Sequence, residues 1–371
     1  LKEKSGVVAA ATGSGKSISI LQLIANTNVK TIIYVIGVDL LYQLHQTIEN
    51  TLGIKIGIIG DGKVDIKRKI NICTIWTAAT ALGKKYVPLN DEDASKKEKL
   101  KNENKSKIVK AIREAEMVLY DECQMIACRT IQEINSESIG AYYKFGFSGS
   151  PWRDSGDDLL IEGVVGKNII EVTSSELIKK GFLVEPIIHF IAVPKMDKLS
   201  DNYQSIYKQY VVDNEVRNEL IIKATNKLID SGRKILILVK NIKHGKILLN
   251  ELEQNSVVYF LRGEISSEER NQVKEDFING NIDIIIATAI YDMGIDIKNL
   301  DALVLCGSGK SSVRTIQRLG RVLRPYPGKK NAIVIDMLDN CKYLTQHAIK
   351  RLETYRTEAG FKIKLPKRKD V

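Results

Sequence analysis

The stretch Val7-Val8-Ala9-Ala10-Ala11-Thr12-Gly13-Ser14-Gly15-Lys16-Ser17 runs from a short apolar segment into a glycine-containing loop that ends in Lys-Ser. Apolar residues at helical spacing follow the loop: Ile18, Ile20, Leu21, Leu23 and Ile24. A glycine loop between a strand and a helix is the setting in which the pattern G-x-x-x-x-G-K-[ST] binds phosphates. The loop departs from that pattern at Ala10, where glycine is usual, and a small side chain can be accommodated there. The stretch therefore predicts a phosphate-binding β-loop-α unit at the start of an α/β domain.

The chemistry of this loop indicates the phosphates of a nucleotide and Mg²⁺ as its ligands. Its glycines let the backbone wrap around phosphates, and the helix that follows offers free N–H groups at its N-terminus. Lys16 is placed to reach the β- and γ-phosphate oxygens, and the Ser17 hydroxyl is placed to ligate Mg²⁺. The predicted nucleotide-binding residues are Thr12, Gly13, Ser14, Gly15, Lys16 and Ser17.

Short apolar or β-branched runs alternate with helix-length segments along the whole chain, which is typical of parallel sheets wrapped by helices. The first series of predicted strands is 7–11, 31–36, 54–59, 70–75, 117–120 and 143–147. The second series is 187–193, 235–239, 257–261, 282–287, 302–305 and 332–335. Glu185-Pro186 favours extended backbone between the two series. We therefore expect two α/β domains, residues 1–186 and residues 187–371, the second ending in a helix and a basic tail.

A charged segment interrupts the first domain. Residues 90–110 are rich in Lys, Glu, Asn and Asp and poor in large apolar residues. This composition predicts an exposed helix or a mobile loop inserted before the strand at Met117. A solvated run of charges is favoured here over a surface that contacts DNA.

The overall composition favours a cytoplasmic protein with an anionic partner. The 371 residues include 56 basic and 45 acidic ones, and the net charge is +11. Such an excess is typical of proteins that bind nucleic acid, although solubility alone also accounts for it. No apolar stretch reaches the ~18 residues that a membrane span needs, so no membrane partner is expected. Five scattered cysteines without a CxxC pair indicate neither a disulfide framework nor a zinc site.

An acidic pair follows the apolar residues Met117-Val118-Leu119, in the run Tyr120-Asp121-Glu122-Cys123-Gln124. Carboxylates at the carboxyl end of a strand lie where α/β sheets bind ligands. Asp121 is predicted to hold Mg²⁺ through its water shell. Glu122 is predicted to orient or deprotonate an attacking water, because phosphoryl transfer depends on positioning and on charge stabilisation.

The run Gln317-Arg318-Leu319-Gly320-Arg321-Val322-Leu323-Arg324 places two arginines three residues apart. On a helix, Arg321 and Arg324 would share one face, where their planar charged groups could meet a triphosphate bound by another part of the chain. Taken alone, the run is more typical of a solvated basic helix face. The phosphate loop and the acidic pair upstream favour the first interpretation.

In their order along the chain, these motifs resemble those of superfamily 2 helicases and translocases, and the resemblance covers nearly the whole chain. The resemblance to motifs I, Ia, II and III lies in residues 11–17, 38–43, 121–124 and 148–151, respectively. The resemblance to motifs IV, V and VI lies in residues 235–240, 288–296 and 317–324. Leu261-Arg262-Gly263 with Arg270 resembles the element that follows motif IV. The ordered set is specific, whereas any single motif would be weak.

The resemblance implies two tandem RecA-like domains, each a mainly parallel sheet flanked by helices, with the ATP site in the cleft between them. It also implies that Arg321 and Arg324 act as arginine fingers, which are worth about 10³–10⁵ in rate. Further residues with implied roles are Gln317, Gly294 and Asp296 towards the nucleotide, Gln124, Ser148 and Ser150 in coupling, and Gln43, Gly62, Thr74 and Thr288 towards nucleic acid. The implied phosphate contacts position the strand without reading its sequence.

Within the superfamily, the wording of the motifs resembles the phage DNA-remodelling helicases of the UvsW type and their XPB-like and RecG-like relatives. This resemblance favours DNA, as duplex, fork, branch or single strand, over RNA, and functions in phage recombination, repair or replication. Gln124 stands where these relatives usually carry histidine, which leaves the link between motifs II and III open. The start at Leu1 predicts a fragment or a processed chain that lacks an upstream N-terminal domain.

The sequence thus predicts an ATP- and Mg²⁺-dependent DNA helicase or translocase that unwinds or branch-migrates forked or recombination-intermediate DNA. An RNA helicase or the motor subunit of a restriction system is the alternative within enzymes, because the motor core is shared and added domains often set the substrate. A clamp or sensor that binds ATP with little turnover is the alternative outside them. Gln124 favours that last alternative and Glu122 opposes it.

Overall fold

The computed structural model of the chain forms two α/β units, Leu1–Val172 and Thr173–Val371. It describes residues 2–67, 69–83, 101–149, 156, 158–196, 202–262, 267–288, 297, 299–307, 309 and 311–367. Ser150, Gly294, Asp296 and residues 90–100 of the charged segment therefore lie outside the described residues. In the described part of the chain, no helix combines the length and the apolar character needed to cross a membrane.

The first unit contains a mainly parallel sheet of eight strands in the order β4-β3-β5-β2-β6-β7-β1-β8. The strands are β1 (Ser5–Ala10), β2 (Thr31–Val35), β3 (Gly57–Gly60), β4 (Lys63–Asp65), β5 (Ile70–Thr74), β6 (Met117–Asp121), β7 (Tyr143–Ser148) and β8 (Asn168–Val172). Only the hairpin β3–β4 pairs antiparallel among these strands. All six strands predicted from sequence in this unit are present, with ends that differ by up to three residues.

Helices cover both faces of this sheet, so that its central strands are buried on both sides. They are α1 (Lys16–Thr27), α2 (Val38–Leu52), α3 (Ile75–Ala81), α4 (Asn102–Glu114), the 3-10 helix Cys123–Ala127, α5 (Arg129–Glu137) and α6 (Asp158–Val165). Buried residues of α1 and α2 pack in one apolar cluster with Val8 of β1. Buried residues of α3, α4, α5 and α6 pack in another with Val7. Neighbouring residues of a strand point to opposite faces, which explains the division.

Helix α4 includes the second half of the charged segment. The segment is a regular helix from Asn102 onward, but its apolar residues Ile108 and Ile112 are fully buried against the sheet. They are four residues apart and thus lie on one helix face. The charges occupy the solvent side, and the apolar pair docks the helix.

The second unit contains a sheet of seven parallel strands in the order β11-β12-β10-β13-β14-β9-β15. The strands are β9 (Glu185–Val193), β10 (Ile235–Val239), β11 (Val258–Leu261), β12 (Ile284–Thr288), β13 (Ala302–Leu305), β14 (Asn331–Asp339) and β15 (Lys362–Lys364). Its helices are α7 (Ser174–Lys179), α8 (Tyr203–Ile206), the π-helical turn Tyr207–Val212, α9 (Glu215–Asp230), α10 (Ile242–Leu252), α11 (Ser267–Asn279), α12 (Ser312–Val322) and α13 (Leu344–Arg356). Again, all six predicted strands are present.

The division between the units lies before α7, earlier than the boundary near residue 186 that the sequence suggested. Helix α7 is tied to the far end of the second unit. Ser175 Oγ donates to Glu358 Oε2 at 3.0 Å and accepts from the Gly360 N–H at 3.0 Å. These bonds place α7 in the second unit, and Glu185-Pro186 lies at the start of β9.

Candidate active site

Strand pairing in the first unit brings the phosphate loop and the acidic pair to one edge of the sheet. Strand β7 lies between β1 and β6 and is parallel to both. Ala9 of β1 is opposite Ser148 of β7, and Asp121 of β6 is opposite Phe147. All three strands therefore end at the same level. The sites predicted at their carboxyl ends are neighbours, as expected for a ligand site of an α/β sheet.

The phosphate loop has the backbone shape that its glycines predict. Gly13 and Gly15 have φ angles of 89° and 87°, in the left-handed region that residues with a Cβ rarely adopt. Helix α1 begins directly after Gly15, at Lys16, and the ammonium group of Lys16 donates to the carbonyl oxygen of Ala10 at 3.2 Å. The loop thus closes on itself between the end of β1 and the helix N-terminus.

The residues of the phosphate loop fit a nucleoside triphosphate. Gly13, Gly15 and Ser17 are exposed, so the loop backbone and the Ser17 hydroxyl are open to solvent at a helix N-terminus. Ser14 adds a buried hydroxyl oxygen for which the described structure provides no hydrogen-bond partner. An exposed N-terminal turn with free N–H groups attracts phosphate oxygens.

The acidic pair ends strand β6 with an unusual backbone turn. Asp121 is the last strand residue, and Glu122 has φ 57° and ψ 53° in the left-handed region, a sparsely populated conformation for a residue that carries a Cβ. The Glu122 N–H donates to Asp121 Oδ1 at 3.1 Å. Burial and the neighbouring Glu122 carboxylate raise the pKa of Asp121, while the ammonium group of Lys16 lowers it. The charge of the phosphate-loop lysine therefore acts on the carboxyl group predicted to bind Mg²⁺.

Gln124 connects the acidic pair to strand β7. Its amide Nε2 donates to Glu122 Oε2 at 2.7 Å, and its Oε1 accepts from Ser148 Oγ at 2.6 Å. Gln124 and Ser148 are both buried. Gln124 thus links Glu122 to Ser148, because an amide can donate on one side and accept on the other.

Two glycines, one within β7 and one directly after it, allow neighbouring segments to approach this strand closely. A Cβ on Gly146 would lie 2.7 Å from the Cβ of Cys123, so only glycine allows the 3-10 helix after Glu122 to pack on this strand. A Cβ on Gly149 would lie 3.4 Å from the backbone nitrogen of Thr12. Gly146 was not among the site residues predicted from the sequence, although a glycine inside a predicted strand often indicates close approach of another backbone.

The residues predicted to contact nucleic acid in the first unit occupy different environments. Gln43 is exposed on α2, and Gly62 is exposed in the β3–β4 turn with φ 73°. Thr74 is fully buried at the end of β5, and its hydroxyl is paired with that of Thr77 at 2.8 Å. The β3–β4 turn is held to α2 because Tyr42 donates to Asp61 Oδ2 at 3.0 Å. Of these three residues, Thr74 thus differs from Gln43 and Gly62, because its hydroxyl is buried and hydrogen-bonded inside the unit.

In the second unit, α12 carries Gln317 and Arg321 but ends at Val322. Arg324 lies beyond the helix, so the prediction that Arg321 and Arg324 share one helix face was wrong. The reason is Pro325, which disfavours helical backbone at the residue before it. Burial lowers the pKa of Arg324. The other predicted contact here, Thr288 at the end of β12, is buried, and its hydroxyl has no hydrogen-bond partner among the described residues.

Lys329 fixes the end of α12, a contact that the sequence did not suggest. Its ammonium group donates to the carbonyl oxygens of Val322 at 2.5 Å, Leu300 at 2.5 Å and Arg324 at 3.0 Å. A positive charge is favourable at a helix C-terminus, where carbonyl groups are left without helical partners. Burial lowers the pKa of Lys329 to about 8, and the carboxylate of Asp301 opposes that shift.

The carboxyl edge of this parallel sheet carries a phosphate loop, an acidic pair and a serine that is hydrogen-bonded to Gln124. These features define a P-loop nucleotide-binding protein. Comparison with known families narrows this class. Residues 1–153 match the family described as the res subunit of type III restriction enzymes, and residues 217–326 match the helicase conserved C-terminal domain. Together these matches cover more than half of the chain, in the order that the motifs predicted. The chain belongs to the superfamily 2 helicases.

Named relatives support this assignment. The chain is 29% identical over 265 residues to the ATP-dependent DNA helicase uvsW of Enterobacteria phage T4, a match that covers 65% of this chain and 53% of the phage protein. It is 23% identical over 377 residues to the DNA 3'-5' translocase XPB2 of Sulfurisphaera tokodaii, covering 91% of this chain and 78% of that protein. The chain thus spans about half the length of its phage relative.

Solved structures confirm the fold. A structure of a leucine-to-valine variant of S. cerevisiae Dbp5 bound to RNA and ADP BeF3 has a TM-score of 0.65 at 13% identity, covering 98% of this chain and 85% of that one. Mss116p bound to ssRNA and AMP-PNP has a TM-score of 0.63 at 17% identity, covering 99% of this chain and 72% of that one. The predicted pair of tandem RecA-like domains is therefore confirmed.

Proposed function

We propose that this chain is an ATP-dependent DNA helicase or translocase that acts on forked or branched DNA. The observation that carries the proposal is the chain of contacts from Glu122 through Gln124 to Ser148 beside the phosphate loop. It places a carboxylate of fixed orientation at the edge of the sheet where the triphosphate would bind. Two relatives with DNA in their names, a DNA helicase and a DNA translocase, support DNA as the partner.

Each candidate site residue at the carboxyl edge of the first sheet has a distinct role in this proposal. The loop N–H groups and Lys16 bind the phosphates, and Ser17 and Asp121 hold Mg²⁺. When bound, Mg²⁺ supplies positive charge that neutralises the phosphate oxygens. Glu122 holds the attacking water in line and accepts its proton. Gln124 fixes the Glu122 carboxylate and connects its position to Ser148.

The nucleic-acid contacts of this proposal follow the backbone of the strand. Gln43 and the Gly62 turn in the first unit are exposed and suited to phosphate contacts. Phosphate contacts fix the register of a protein on a strand without reading its sequence. The affinity for DNA should therefore fall as salt is added. In a plot of the logarithm of the binding constant against the logarithm of the salt concentration, the downward slope should be about 0.9 for each duplex phosphate neutralised.

A restriction motor is a second candidate, favoured by the match of residues 1–153 to the res subunit of type III restriction enzymes. Such a motor would follow unbranched duplex DNA. Under the main proposal, forked DNA stimulates hydrolysis more than linear duplex of the same length. The two candidates therefore differ in which DNA gives the greater rate.

The test is an ATPase assay at fixed salt with no nucleic acid, linear duplex, forked DNA and RNA. We expect the highest rate with forked DNA and its loss in Lys16→Ala. Lys55→Ala is the matched control, because among the described residues this exposed lysine forms an ion pair with Glu49 on α2 alone. Strongest stimulation by RNA, or an unchanged rate in Lys16→Ala, would overturn the proposal. ATP binding without turnover under all conditions would indicate a clamp or sensor.

A further inference from the structure

A group of aromatic side chains lies at the carboxyl edge of the second sheet, outside the site described above. Lys240 directly follows β10, and Lys342 and Tyr343 come shortly after the end of β14. Tyr203 opens α8 and reaches the same place, because its ring contacts that of Tyr343. The carboxyl edge of a parallel sheet is the edge at which α/β proteins bind ligands.

Tyr203 is the centre of this group, which we call the tyrosine cluster: Tyr203, Tyr207, Tyr343 and His347. The ring centroid of Tyr203 lies 6.1 Å from that of Tyr207, 6.1 Å from that of Tyr343 and 5.8 Å from that of His347. Tyr203 and Tyr343 are half-buried, whereas Tyr207 is buried beneath them. The upper rings are therefore held in place and still open in part to solvent.

Two exposed lysines border the cluster. The Lys240 ammonium lies 5.5 Å from the ring centroid of Tyr203 and 5.2 Å from that of Tyr207, and that of Lys342 lies 5.3 Å from the ring centroid of Tyr343. Among the residues that the structure describes, neither lysine forms an ion pair with a carboxylate. The border of the cluster is thus positively charged and suited to an anionic ligand.

The base of the cluster is rigid. The π-helical turn that carries Tyr207 is anchored by Tyr210, whose hydroxyl donates to the carbonyl oxygen of Pro194 at 2.8 Å and accepts from the Asn340 N–H at 3.0 Å. π-helical turns are rare and frequently occur at functional sites. Gly307 completes the base, because any Cβ there would collide with the Tyr207 hydroxyl. A preorganised aromatic surface loses little freedom on binding.

Aromatic rings flanked by lysines are the means by which proteins hold single-stranded nucleic acid: the rings stack on bases and the cations contact phosphates. We propose that Tyr203 and Tyr343 form a stacking site for an unpaired base of single-stranded DNA, with Lys240 and Lys342 at the adjoining phosphates. The inference rests on the proposed function for its choice of DNA. It adds a site that grips a base, whereas the contacts proposed above grip phosphates only.

The test compares two oligonucleotides of equal length, oligothymidylate and an abasic deoxyribose-phosphate chain, by fluorescence anisotropy at fixed salt. Tyr203→Ala should weaken oligothymidylate binding about 5-fold to 150-fold, the equivalent of one stacked base, and leave abasic binding unchanged. Tyr203→Phe, which keeps the ring, should bind like the wild type. Lys240→Met should weaken the binding of both oligonucleotides.

Tyr142→Ala is the matched control. Tyr142 is 55% exposed with the Lys4 ammonium 4.4 Å from its ring centroid, but it lies at the amino end of β7 in the first unit. An equal loss for the two oligonucleotides in Tyr203→Ala, or no loss, would overturn the stacking site. Photo-crosslinking of oligothymidylate to the wild type gives a readout that needs no variant, and crosslinks that avoid Tyr203 and Tyr343 would also overturn it.

The outcome is distinguishable from failure of the proposed function. Wild-type ATPase activity is measured in parallel with and without forked DNA. Normal stimulation by DNA together with unimpaired oligothymidylate binding by Tyr203→Ala would reject the stacking site alone. An absence of stimulation in the wild type, with base-dependent binding that Tyr203→Ala removes, would reject the motor and keep the site.

Discussion

Gln124 holds the carboxylate of Glu122, since its amide Nε2 donates to Glu122 Oε2 at 2.7 Å. The other end of the same amide accepts from Ser148 at 2.6 Å, so one buried side chain connects two strand ends. Glu122 itself lies on a left-handed turn directly after β6. The orientation of Glu122 is therefore expected to depend on Gln124.

Replacing Gln124 tests this dependence. Gln124→Leu removes both hydrogen bonds and replaces the amide with an apolar side chain of similar size. We expect kcat for ATP to fall about 10-fold to 100-fold with KM little changed, because misplacing a group by about 1 Å costs roughly that much. Steady-state ATPase measurements with saturating DNA give both constants. Gln132→Leu on α5 is the control, because the Gln132 amide donates to the backbone of Ala127 and to no other group in the described part of the chain. An equal fall in that variant would contradict the assignment.

Gly146 sets the distance between β7 and the turn that carries Glu122. A methyl group added there would lie 2.7 Å from the Cβ of Cys123 and 3.0 Å from its sulfur, so one of the two segments must move. Gly146→Ala should lower the free energy of unfolding by about 1–3 kcal/mol, as for an overpacked core. It should also lower kcat. Urea denaturation and ATPase assays measure the two effects.

Gly163 provides the comparison for Gly146. It is exposed on α6, and a Cβ added there meets no atom within 4 Å. Alanine is the better helix former by about 1 kcal/mol, so Gly163→Ala should unfold at the same or a higher urea concentration. If both alanine variants proved equally stable, the close approach at Gly146 would not be a constraint.

Strand residues explain why so much of the fold could be predicted from the sequence. The runs that form β2, β5 and β10 are mainly apolar and are buried along their whole length, and each was placed within one residue of its observed ends. The missed strands are β4, β8 and β15, which are short or have exposed residues. Each lies at or beside an edge of its sheet and is stabilised mainly by pairing with one neighbour, which a local pattern does not record.

The candidate site shows the same limit. The phosphate loop and the acidic pair were predictable because their residues are contiguous. The bond between Gln124 and Ser148 joins residues far apart in sequence, so only the pairing of β6 with β7 brings it about. The end of α12 is marked in the sequence by Pro325 after Arg324, whereas the three-residue spacing of the two arginines favours a longer helix.

A buried ion pair in the second unit gives a prediction about stability. Arg351 on α13 donates from Nη2 to Asp336 Oδ1 at 2.7 Å and from Nη1 to the carbonyl oxygen of Gly309 at 3.3 Å. Asp336 also accepts from the Tyr355 hydroxyl at 2.8 Å and is fully buried. The pair therefore joins α13 to β14 and to the segment that leads into α12.

Breaking this pair should cost more than replacing it. Asp336→Asn leaves the buried Arg351 charge without its counterion, and we expect a loss of about 3–5 kcal/mol in the free energy of unfolding. Asp336→Asn combined with Arg351→Met removes the stranded charge and should recover at least half of that loss. Glu103→Gln, which breaks an exposed pair with Lys107 on α4, is the control and should leave the urea midpoint unchanged. A smaller loss in the single variant than in the double would contradict the argument.

Of the two arginines predicted to act as arginine fingers, Arg321 is the one that lies on α12. It stays on α12 with Gln317, whereas Arg324 lies past the helix in a segment held by Lys329. If Arg321 contacts the γ-phosphate only in the transition state, Arg321→Ala should lower kcat about 10³-fold or more and leave nucleotide affinity within a few-fold. Arg129→Ala, at a 91% exposed arginine paired with Glu133 on α5, is the matched control and should keep full activity. Equilibrium binding of a fluorescent ATP analogue and single-turnover hydrolysis separate the two constants. A parallel loss of affinity and rate would instead place Arg321 among the residues that bind ATP in the ground state.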